Sequence, residues 1–449
     1  MSPRSSSARP SSSTSEGGAQ SPSGSPTAAS AAVAPDGVAA EVRSKPAPLT
    51  HYQRKLFVFL GVATFFEGYD LFALAQILPN LRADLGLTSA QGGLLVAVAN
   101  VGTVLAYLLI YRADRWGRRR VLTITIAGYT FFSFLTALSF DAWSFAIFQL
   151  LARIFLIGEY AVAMVYAAEE YPADRRGMVI GVIQACSSLG AIVCAGTVPL
   201  LLETSLGWRS VYLVGTIPLL IIAVARRSLR ETERFAREAT GRDEASSFLR
   251  ILRGPYRNRV LQLGTIWALT FVCTQNAVVF WKEFALSERG LTDAQVGAML
   301  TIASLVSMPL VFASGKLLDL IGRRRGAVVI FGVTTLGTIA SYTLDSQAAL
   351  TCALVLGILG TSAVLPVLNA FTTELFPTAL RSEAFAWSNN IIGRSAYLLS
   401  PVAIGLAAEA VGWGSAVAAT AVFPLLALGL IVWLLPETGG RELEETSAL

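Results

Sequence analysis

One pattern is written twice in this chain, and both of its parts recur at the same distance. Residues 114–120 (DRWGRRR) return as 319–325 (DLIGRRR), 205 positions later. Residues 169–176 (EEYPADRR) return as 374–381 (ELFPTALR), again 205 positions later. Two unrelated motifs rarely share one offset by chance, so the chain consists of two similar halves. In a membrane protein such a repeat indicates two helical bundles with a site between them.

The composition places the chain in a membrane. Apolar residues make up 54% of it and charged residues only 14%, whereas soluble domains carry about 25% charged residues. The apolar residues gather in stretches of about 20, the length at which a helix crosses the hydrocarbon core. They predict an all-α membrane protein with twelve spans, six in each half, at residues 54–79, 91–111, 121–140, 143–168, 177–202, 209–226, 260–282, 292–314, 326–344, 348–371, 384–407 and 414–435.

Arginine is concentrated on one predicted side of the membrane. Residues 112–120 contain five arginines and residues 226–259 contain ten, while the turns at 140–143, 345–347 and 408–413 contain no Lys or Arg. This distribution predicts a multi-pass protein of the plasma (inner) membrane with both termini in the cytoplasm. Membrane lipid headgroups are sufficient partners for the net charge of +5, so nucleic acid is not expected as a partner.

Polar segments separate and flank the two bundles. The first thirty residues contain twelve serines, and such a segment has too little apolar surface to fold. The domain prediction is a disordered cytoplasmic tail at 1–50, a six-helix bundle at 51–226, a cytoplasmic central loop at 227–258, a second six-helix bundle at 259–437 and a cytoplasmic tail at 438–449.

The repeated motif suits a contact that forms and breaks as two bundles move. Its Gly allows a tight turn between consecutive helices, and its Asp can pair with arginine or cap a helix N-terminus. A purely topological role, in which the arginines hold orientation, is compatible with this interpretation. The candidate gating residues are Asp114, Arg115, Gly117, Arg118, Glu169 and Arg176 in the first copy and Asp319, Gly322, Arg323, Glu374 and Arg381 in the second.

These motifs also carry a resemblance to a known family. Residues 114–119 (DRWGRR) resemble the signature between spans two and three of the major facilitator superfamily, and the resemblance covers about residues 53–445. The Glu-x-[Tyr/Phe]-Pro-x3-Arg motif after spans four and ten, with residues 436–445 (PETGGRELEE), resembles the sugar porter and metabolite:proton symporter branch. The resemblance implies the twelve-helix major facilitator fold. One departure is Ile110, where the family usually has Gly.

The N-terminal half carries charges inside predicted spans that its twin lacks. Span one contains Glu67 and Asp70, and span four contains Arg153 and Glu159. The positions 205 residues later hold only Val, Gln and Ile. A charge at the membrane centre costs about 2.5–3.5 kcal/mol on insertion scales. Since the twin manages without them, the shared scaffold does not explain these four residues.

We interpret Asp70 as a proton carrier and Arg153 as its switchable partner. Beside the guanidinium the carboxylate stays ionised, and when separated from it in an apolar surrounding it takes up a proton. Residues 68–70 (GYD) with a span-four arginine are similar to the Asp–Arg pair of proton-coupled sugar porters. The alternative is a static buried ion pair that fixes helix register.

Glu67 and Glu159 are candidates for a second proton site or for an ion pair with another helix. Residues 67–70 (EGYD) resemble the Asp-Gly-[Phe/Tyr]-Asp motif of aromatic-acid:proton symporters, with Glu for the first Asp. Residues 158–160 (GEY) resemble a segment of sialate-type symporters. Glu159 lies six residues after Arg153, about 240° around an α-helix, so these two do not share a face.

Span eleven offers the best polar face for a substrate. Trp387, Asn390, Arg394 and Tyr397 are spaced by 3, 4 and 3 residues, which places them along one side of an α-helix. The Arg394 guanidinium could bind both oxygens of a carboxylate, or it could pair with a glutamate from another helix. An arginine before a span-eleven proline also resembles organic-anion carriers.

Spans five and seven supply further substrate candidates by resemblance. Gln184 is similar to the sugar-contacting glutamine of sugar porters. Gln275 and Asn276 begin a segment (QNAVVFW) that resembles the end of their Gln-Gln-x-x-Gly-x-Asn-Ala-Val motif. The paired glutamines of that motif are replaced here by Thr270 and Phe271. This departure disfavours a sugar.

No enzyme is indicated. The sequence lacks a phosphate-binding Gly-rich loop and metal-ligand spacing, and its single His, His51, precedes span one. We expect a monomeric secondary transporter without cofactors, in which protons drive uptake of a small polar metabolite, above all an organic or aromatic acid. The alternatives are a sugar or polyol:proton symporter, a facilitator without proton coupling and, from another class, a non-transporting nutrient receptor.

Overall fold

The computed structural model describes residues 49–116, 118–171, 173–225, 230, 250–377 and 380–438. Most of the predicted N-terminal tail, central loop and C-terminal tail lies outside these residues. The regular secondary structure of the described ranges is helical throughout. The described residues between 49 and 438 belong to one compact unit.

Local capping defines several helix ends in the N-terminal half. Thr50 accepts a hydrogen bond from the Gln53 amide at 3.2 Å and caps the first helix. Asp141 caps the fourth by accepting from the Ser144 amide at 2.7 Å. Hydrogen bonds from the Ser144 side chain and backbone hold the pKa of the Asp141 carboxyl below its usual value. The six helices are α1 His51–Leu85, α2 Ser89–Trp116, α3 Arg118–Ala137, α4 Ala142–Glu170, α5 Ala173–Leu202 and α6 Arg209–Ala225.

The C-terminal half repeats this arrangement with interruptions in its helices. A bend of 44° separates α8 from α9, and Gly412, with φ 82°, interrupts α14. Between α13 and α14 the chain forms a π-helix, Ala386–Ile392, and a 3-10 turn, Gly393–Ser395. The helices are α7 Arg250–Arg253, α8 Arg257–Val279, α9 Trp281–Ser287, α10 Asp293–Ile321, α11 Arg323–Thr343, α12 Gln347–Glu374, α13 Arg381–Phe385, α14 Ala396–Ala419 and α15 Val422–Leu434.

The helices are consistent with the twelve predicted spans. Nine helices of the described ranges are long and apolar enough to cross a membrane, and the bent pair α8–α9 makes a tenth. The shorter α6 is also apolar. One of the nine, Glu383–Leu434, is 52 residues long and contains the break at Gly412. Divided at that break it supplies two spans, which brings the number to twelve.

Glycine residues allow helices of the two halves to pack closely against each other. Between the halves, α2 packs on α14 and α5 packs on α10. A Cβ on Gly93 would lie 2.2 Å from the Pro401 carbonyl oxygen, and one on Gly297 would lie 2.8 Å from the Ala195 carbonyl oxygen. A larger residue would force the backbones apart, so the small side chain sets this spacing.

Contacts between the halves gather at one end. We call the end of the bundles where α1 finishes the far side, and the end where α1 begins the near side. In the described ranges, hydrogen bonds between the halves join α1 to α9 and α10, and α2 to α14, at the far side or in mid-membrane. The far side is therefore closed in this conformation.

Candidate substrate and proton site

The four charged residues of spans one and four all lie inside the protein. Glu67 is 6% exposed, Asp70 3%, Arg153 5% and Glu159 2%. Their helices thus direct these side chains toward protein rather than toward lipid. Burial of four ionisable groups in one bundle requires partners for each of them.

Asp70 and Arg153 lie close enough for their charges to attract. Arg153 nevertheless forms its hydrogen bond with another residue. Its Nη1 donates to Asn100 Oδ1 of α2 at 2.7 Å, and its Nε and Nη2 are buried without a hydrogen-bond partner. The Tyr129 hydroxyl of α3 faces the Asp70 carboxyl. The guanidinium therefore has capacity for a second acceptor, as a switchable partner requires.

A polar cluster of the N-terminal half lies within range of the Arg394 charge of the C-terminal half. Glu67 lies against Ser187 of α5 and is attracted by Arg394. Tyr160 of α4 lies within range of the charges of Glu67 and Arg394. Its hydroxyl accepts a hydrogen bond from Gln184 Nε2 at 3.0 Å. Glu67 Oε2 and Arg394 Nε are buried without hydrogen-bond partners. The cluster thus has unused polar groups on both of its sides.

Glu159 faces a different neighbour from Arg153. The Thr125 hydroxyl of α3 donates to Glu159 Oε2, whereas Arg153 turns toward α2. The separation around α4 agrees with their six-residue spacing. Glu159 therefore links α3 to α4 within the N-terminal half.

The predicted α-helical face on span eleven is wrong in its geometry. Trp387 and Asn390 lie in the π-helix, and Arg394 lies in the 3-10 turn that follows. Wider and then tighter turns rotate these side chains away from the α-helical spacing. The segment is pressed against α8, since a Cβ on Gly393 would lie 2.8 Å from the Trp267 Cβ. Trp387 and Asn390 are half-buried, and π-helical turns often occur at functional sites.

The other substrate candidates of the C-terminal half have partners within that half. Asn276 Nδ2 donates to Ser400 Oγ at 2.9 Å and to the Val272 carbonyl oxygen at 2.6 Å, while its Oδ1 is buried without a partner. The Tyr397 ring packs on Phe271 at 4.8 Å between centroids. These contacts tie α8 to α14. The Gln275 residue is half-buried.

A cavity of about 290 Å³ lies between the halves next to the Glu67 cluster. Ser188 of α5 lines it and directly follows the Ser187 that contacts Glu67. Phe72 of α1 and Trp281 of α9 add aromatic surface, and most other lining residues are apolar. Its lining does not include the predicted substrate residues. The volume is near the lower end of the ~300–1,000 Å³ of small-molecule sites.

The second copy of the repeated motif forms a network on the near side. Arg323 pairs with Asp319 at 2.6 Å and with Glu374 at 3.1 Å. Gly322 has φ 89°, which favours glycine at this turn. Glu437 accepts from the amide of Arg323 at 2.7 Å and also from the next amide, so it caps α11. These contacts stay within the C-terminal half.

The remaining gating candidates are Arg381 of the second copy and six residues of the first. Arg381 donates to the Phe376 carbonyl oxygen at 3.5 Å, and Glu169 is half-buried near the end of α4. Five candidates of the first copy lie outside the residues whose side chains the structure describes, and they are Asp114, Arg115, Gly117, Arg118 and Arg176.

A charged cluster that the sequence analysis missed closes the far side. Arg82 Nη1 of α1 donates to Glu283 Oε2 of α9 at 2.7 Å. Lys282 pairs with Asp293, and Asn80 contacts both of them. Lys282 is 1% exposed and Glu283 3%. The sequence signal for this cluster was the pair of adjacent charges, Lys282 and Glu283, at the end of an apolar span. The bend before α9 turns both side chains inward.

Neutralising the far-side pair should open this side. Glu283→Gln removes the charge that Arg82 contacts across the halves, and a charge-assisted hydrogen bond is worth about 1.5–3 kcal/mol. The far-side-open population should therefore rise about 10- to 150-fold. Spin labels at the exposed residues Ala83 and Ala410 would report it as a longer distance in double electron–electron resonance.

A matched control is available for that experiment. Glu288 also carries a carboxylate on the far side, but it accepts from the Gly414 amide within the C-terminal half. Glu288→Gln should leave the distance distribution unchanged. Identical distributions for Glu283→Gln and Glu288→Gln would contradict a gating role for the Arg82–Glu283 pair.

Two six-helix halves, a cavity between them and charged contacts that close one side define a membrane transport protein. The family model described as Major Facilitator Superfamily matches residues 60–396 and 269–448. The chain belongs to this superfamily. Its relatives in the superfamily are transporters and not enzymes.

Similar proteins span nearly the whole chain. A putative metabolite transport protein of Haemophilus influenzae is 29% identical over 88% of this chain and 98% of its own length. A probable 4-methylmuconolactone transporter of Cupriavidus pinatubonensis is 28% identical over 87% of this chain and 92% of its own. The inward-open structure of the xylose transporter XylE from E. coli has a TM-score of 0.70 at 18% identity, over 88% of this chain and 99% of that one. This last likeness shows the fold.

Proposed function

We propose that this protein is a proton-coupled symporter of small organic acids that works by alternating access. The observation that carries the proposal is that Glu67 and Arg394, from opposite halves, each have a buried polar atom without a hydrogen-bond partner and lie within range of each other's charge. A buried unpaired donor is costly, so Arg394 provides a strong site for an incoming carboxylate. Its planar fork suits both carboxylate oxygens.

The neighbouring cavity favours a cargo with an apolar body. Its aromatic surface from Phe72 and Trp281 fits a ring or a hydrocarbon chain. Two of the five hydroxyls in its lining, those of Ser307 and Thr361, already donate to backbone carbonyl oxygens, so these two have no donor left for a sugar hydroxyl. One relative is also named for a lactone rather than for a sugar.

Competition for Arg394 would link the cargo to a proton. Before substrate binds, an ionised Glu67 is stabilised by the positive charge of Arg394. A substrate carboxylate that binds Arg394 removes this stabilisation and adds a second negative charge, which favours proton uptake by Glu67. Asp70, one helical turn along α1, serves as the proton carrier beside Arg153. Substrate and proton are then bound together and released together.

The remaining features of the proposal follow from charge placement. The near side carries the arginine-rich segments, so we assign it to the cytoplasm and the protein to the plasma (inner) membrane. Lipid headgroups would hold these arginines. The protein would act as a monomer, with the proton as coupling ion and no other cofactor.

A ligand screen by thermal stability tests this proposal. Purified protein at two pH values would be heated with aromatic acids, aliphatic acids, their neutral amides and sugars. A ligand at about 100 times its Kd stabilises by ~2.7 kcal/mol, so an acid substrate should raise the Tm by several degrees, and more at the lower pH. Stabilisation by sugars with none by acids would contradict the proposal.

A further inference from the structure

We propose that Asn100 is a positioning residue that ties the Arg153 guanidinium to the closed far side, an inference that rests on the proton coupling proposed above. Arg153 Nη1 donates to Asn100 Oδ1 at 2.7 Å, and Asn100 Nδ2 donates to the Tyr397 carbonyl oxygen of the other half at 3.0 Å. Asn100 is 1% exposed. One amide therefore uses its acceptor on a charge in one half and its donor on the backbone of the other.

The Tyr397 carbonyl is available because of a proline one turn further along α14. In a regular α-helix this carbonyl would accept from the amide of residue 401. Residue 401 is Pro401, which has no N–H. An unpaired carbonyl inside a membrane is costly. The Asn100 amide supplies the missing donor, so the contact depends on a defined feature of each half.

Asn100 is placed to move together with Arg153. A Cβ on Gly102 would lie 2.3 Å from the Leu150 carbonyl oxygen of α4, so α2 and α4 pack backbone to backbone within the N-terminal half. The approach of Gly93 to α14 lies instead at the interface that separates when the far side opens. On opening, Asn100 therefore stays beside Arg153 and loses the Tyr397 carbonyl.

This loss changes the partner of the guanidinium. With the far side closed, Asn100 is fixed at both ends and holds Arg153, which leaves Asp70 without a direct ion pair. Once released from Tyr397, the amide can turn, and the buried unpaired Nε and Nη2 of Arg153 gain the Asp70 carboxylate as an acceptor. The charge state of Asp70 thereby depends on which side of the protein is closed.

The groups around this pair come from five helices. Tyr and Cys are ordinarily neutral between pH 5 and 8, so the two carboxyls of α1 are the groups that change charge with pH. The titratable groups facing Asp70 or Arg153 are Glu67 and Tyr69 of α1, Tyr129 of α3, Cys194 of α5, Tyr212 of α6 and Tyr397 of α14.

The pH profile of uptake tests the relay. Asn100→Leu removes both hydrogen bonds and leaves Arg153 free to hold the Asp70 carboxylate in every conformation. In the wild type the guanidinium is already free for Asp70 when the far side is open, so the variant changes the far-side-closed state. Asp70 should then release its proton to the near side at a lower pH, and the near-side pH that half-inhibits uptake should fall by about one unit, a tenfold change in proton concentration. Asn100→Gln, which keeps the amide, should recover part of this shift. Thr103→Val, a buried polar substitution one turn along α2, should keep the wild-type profile.

A second variant tests the other end of the relay. Pro401→Ala restores an amide at residue 401 and gives the Tyr397 carbonyl its own helical donor, while every polar side chain stays in place. The profile should move in the same direction as in Asn100→Leu. This variant decides the question if Asn100→Leu does not fold.

The outcomes separate the relay from the proposed function. If the wild type shows no pH-driven accumulation, the proton coupling itself fails. If the wild type is coupled and Asn100→Leu, Pro401→Ala and Thr103→Val all share its pH profile, the relay is overturned and the symport proposal stands.

Discussion

Asp70→Asn is expected to abolish uphill accumulation while exchange of substrate between the two sides continues. A gradient of one pH unit corresponds to about 1.4 kcal/mol per proton and supports about tenfold accumulation of a monoanion. Asparagine has the shape of aspartate but cannot carry a proton, so the accumulation ratio should fall to about one. Uptake of radiolabelled substrate into proteoliposomes, with and without a pH gradient, would measure both activities.

The comparison needs a carboxylate that plays no part in the site. Asp345 lies on the far side, where its side chain is 92% exposed and pairs with Arg289. Asp345→Asn should accumulate substrate like the wild type. Tenfold accumulation by Asp70→Asn would remove this residue from the coupling mechanism.

Arg394→Gln is expected to lower the transport efficiency, kcat/KM, of acid substrates far more than that of neutral ones. A hydrogen bond between charged partners contributes about 1.5–3 kcal/mol, so kcat/KM for an acid should fall about 10- to 150-fold. The amide of the same acid should lose little, because it forms no charged pair with the guanidinium. Arg394→Lys keeps the charge without the planar fork and should be intermediate.

A double variant separates substrate binding from a static ion pair. If Arg394 only neutralises Glu67, then Glu67→Gln combined with Arg394→Gln should recover transport, because no buried charge is left unpaired. If Arg394 binds the substrate carboxylate, the double variant should transport acid substrates as inefficiently as Arg394→Gln does. Recovery by the double variant, or equal losses for acid and amide, would contradict anion recognition.

The repeat and the hydropathy pattern were sufficient to predict the architecture. Gly322 has a positive φ of 89° at the turn that the repeated motif predicts, and Asp319 pairs with Arg323, one of the two roles predicted for the Asp of that motif. Burial of Asp70 and Arg153 was also predictable, since a charge within an apolar span must avoid lipid. These features depend on spacing along one chain segment, which a sequence displays directly.

Contacts between the halves were not predictable from the sequence. Arg82 and Glu283 are 201 positions apart, and neither belongs to the repeated motif. Asn100 is one of a few polar residues in an apolar span, and nothing distinguishes it until α14 brings the Tyr397 carbonyl to it. The π-helix Ala386–Ile392 was missed because its polar spacing also fits an α-helix. In each case the deciding partner comes from a distant segment.

One measurement tests the central claim most directly: proton entry that accompanies substrate entry, recorded by a pH dye inside proteoliposomes. We expect an acid substrate, added at a pH where it is fully ionised, to acidify the lumen. Wild-type protein should do this, and Asp70→Asn and protein-free vesicles should not. Substrate entry into wild-type vesicles with no change in luminal pH would contradict the coupling of this cargo to protons.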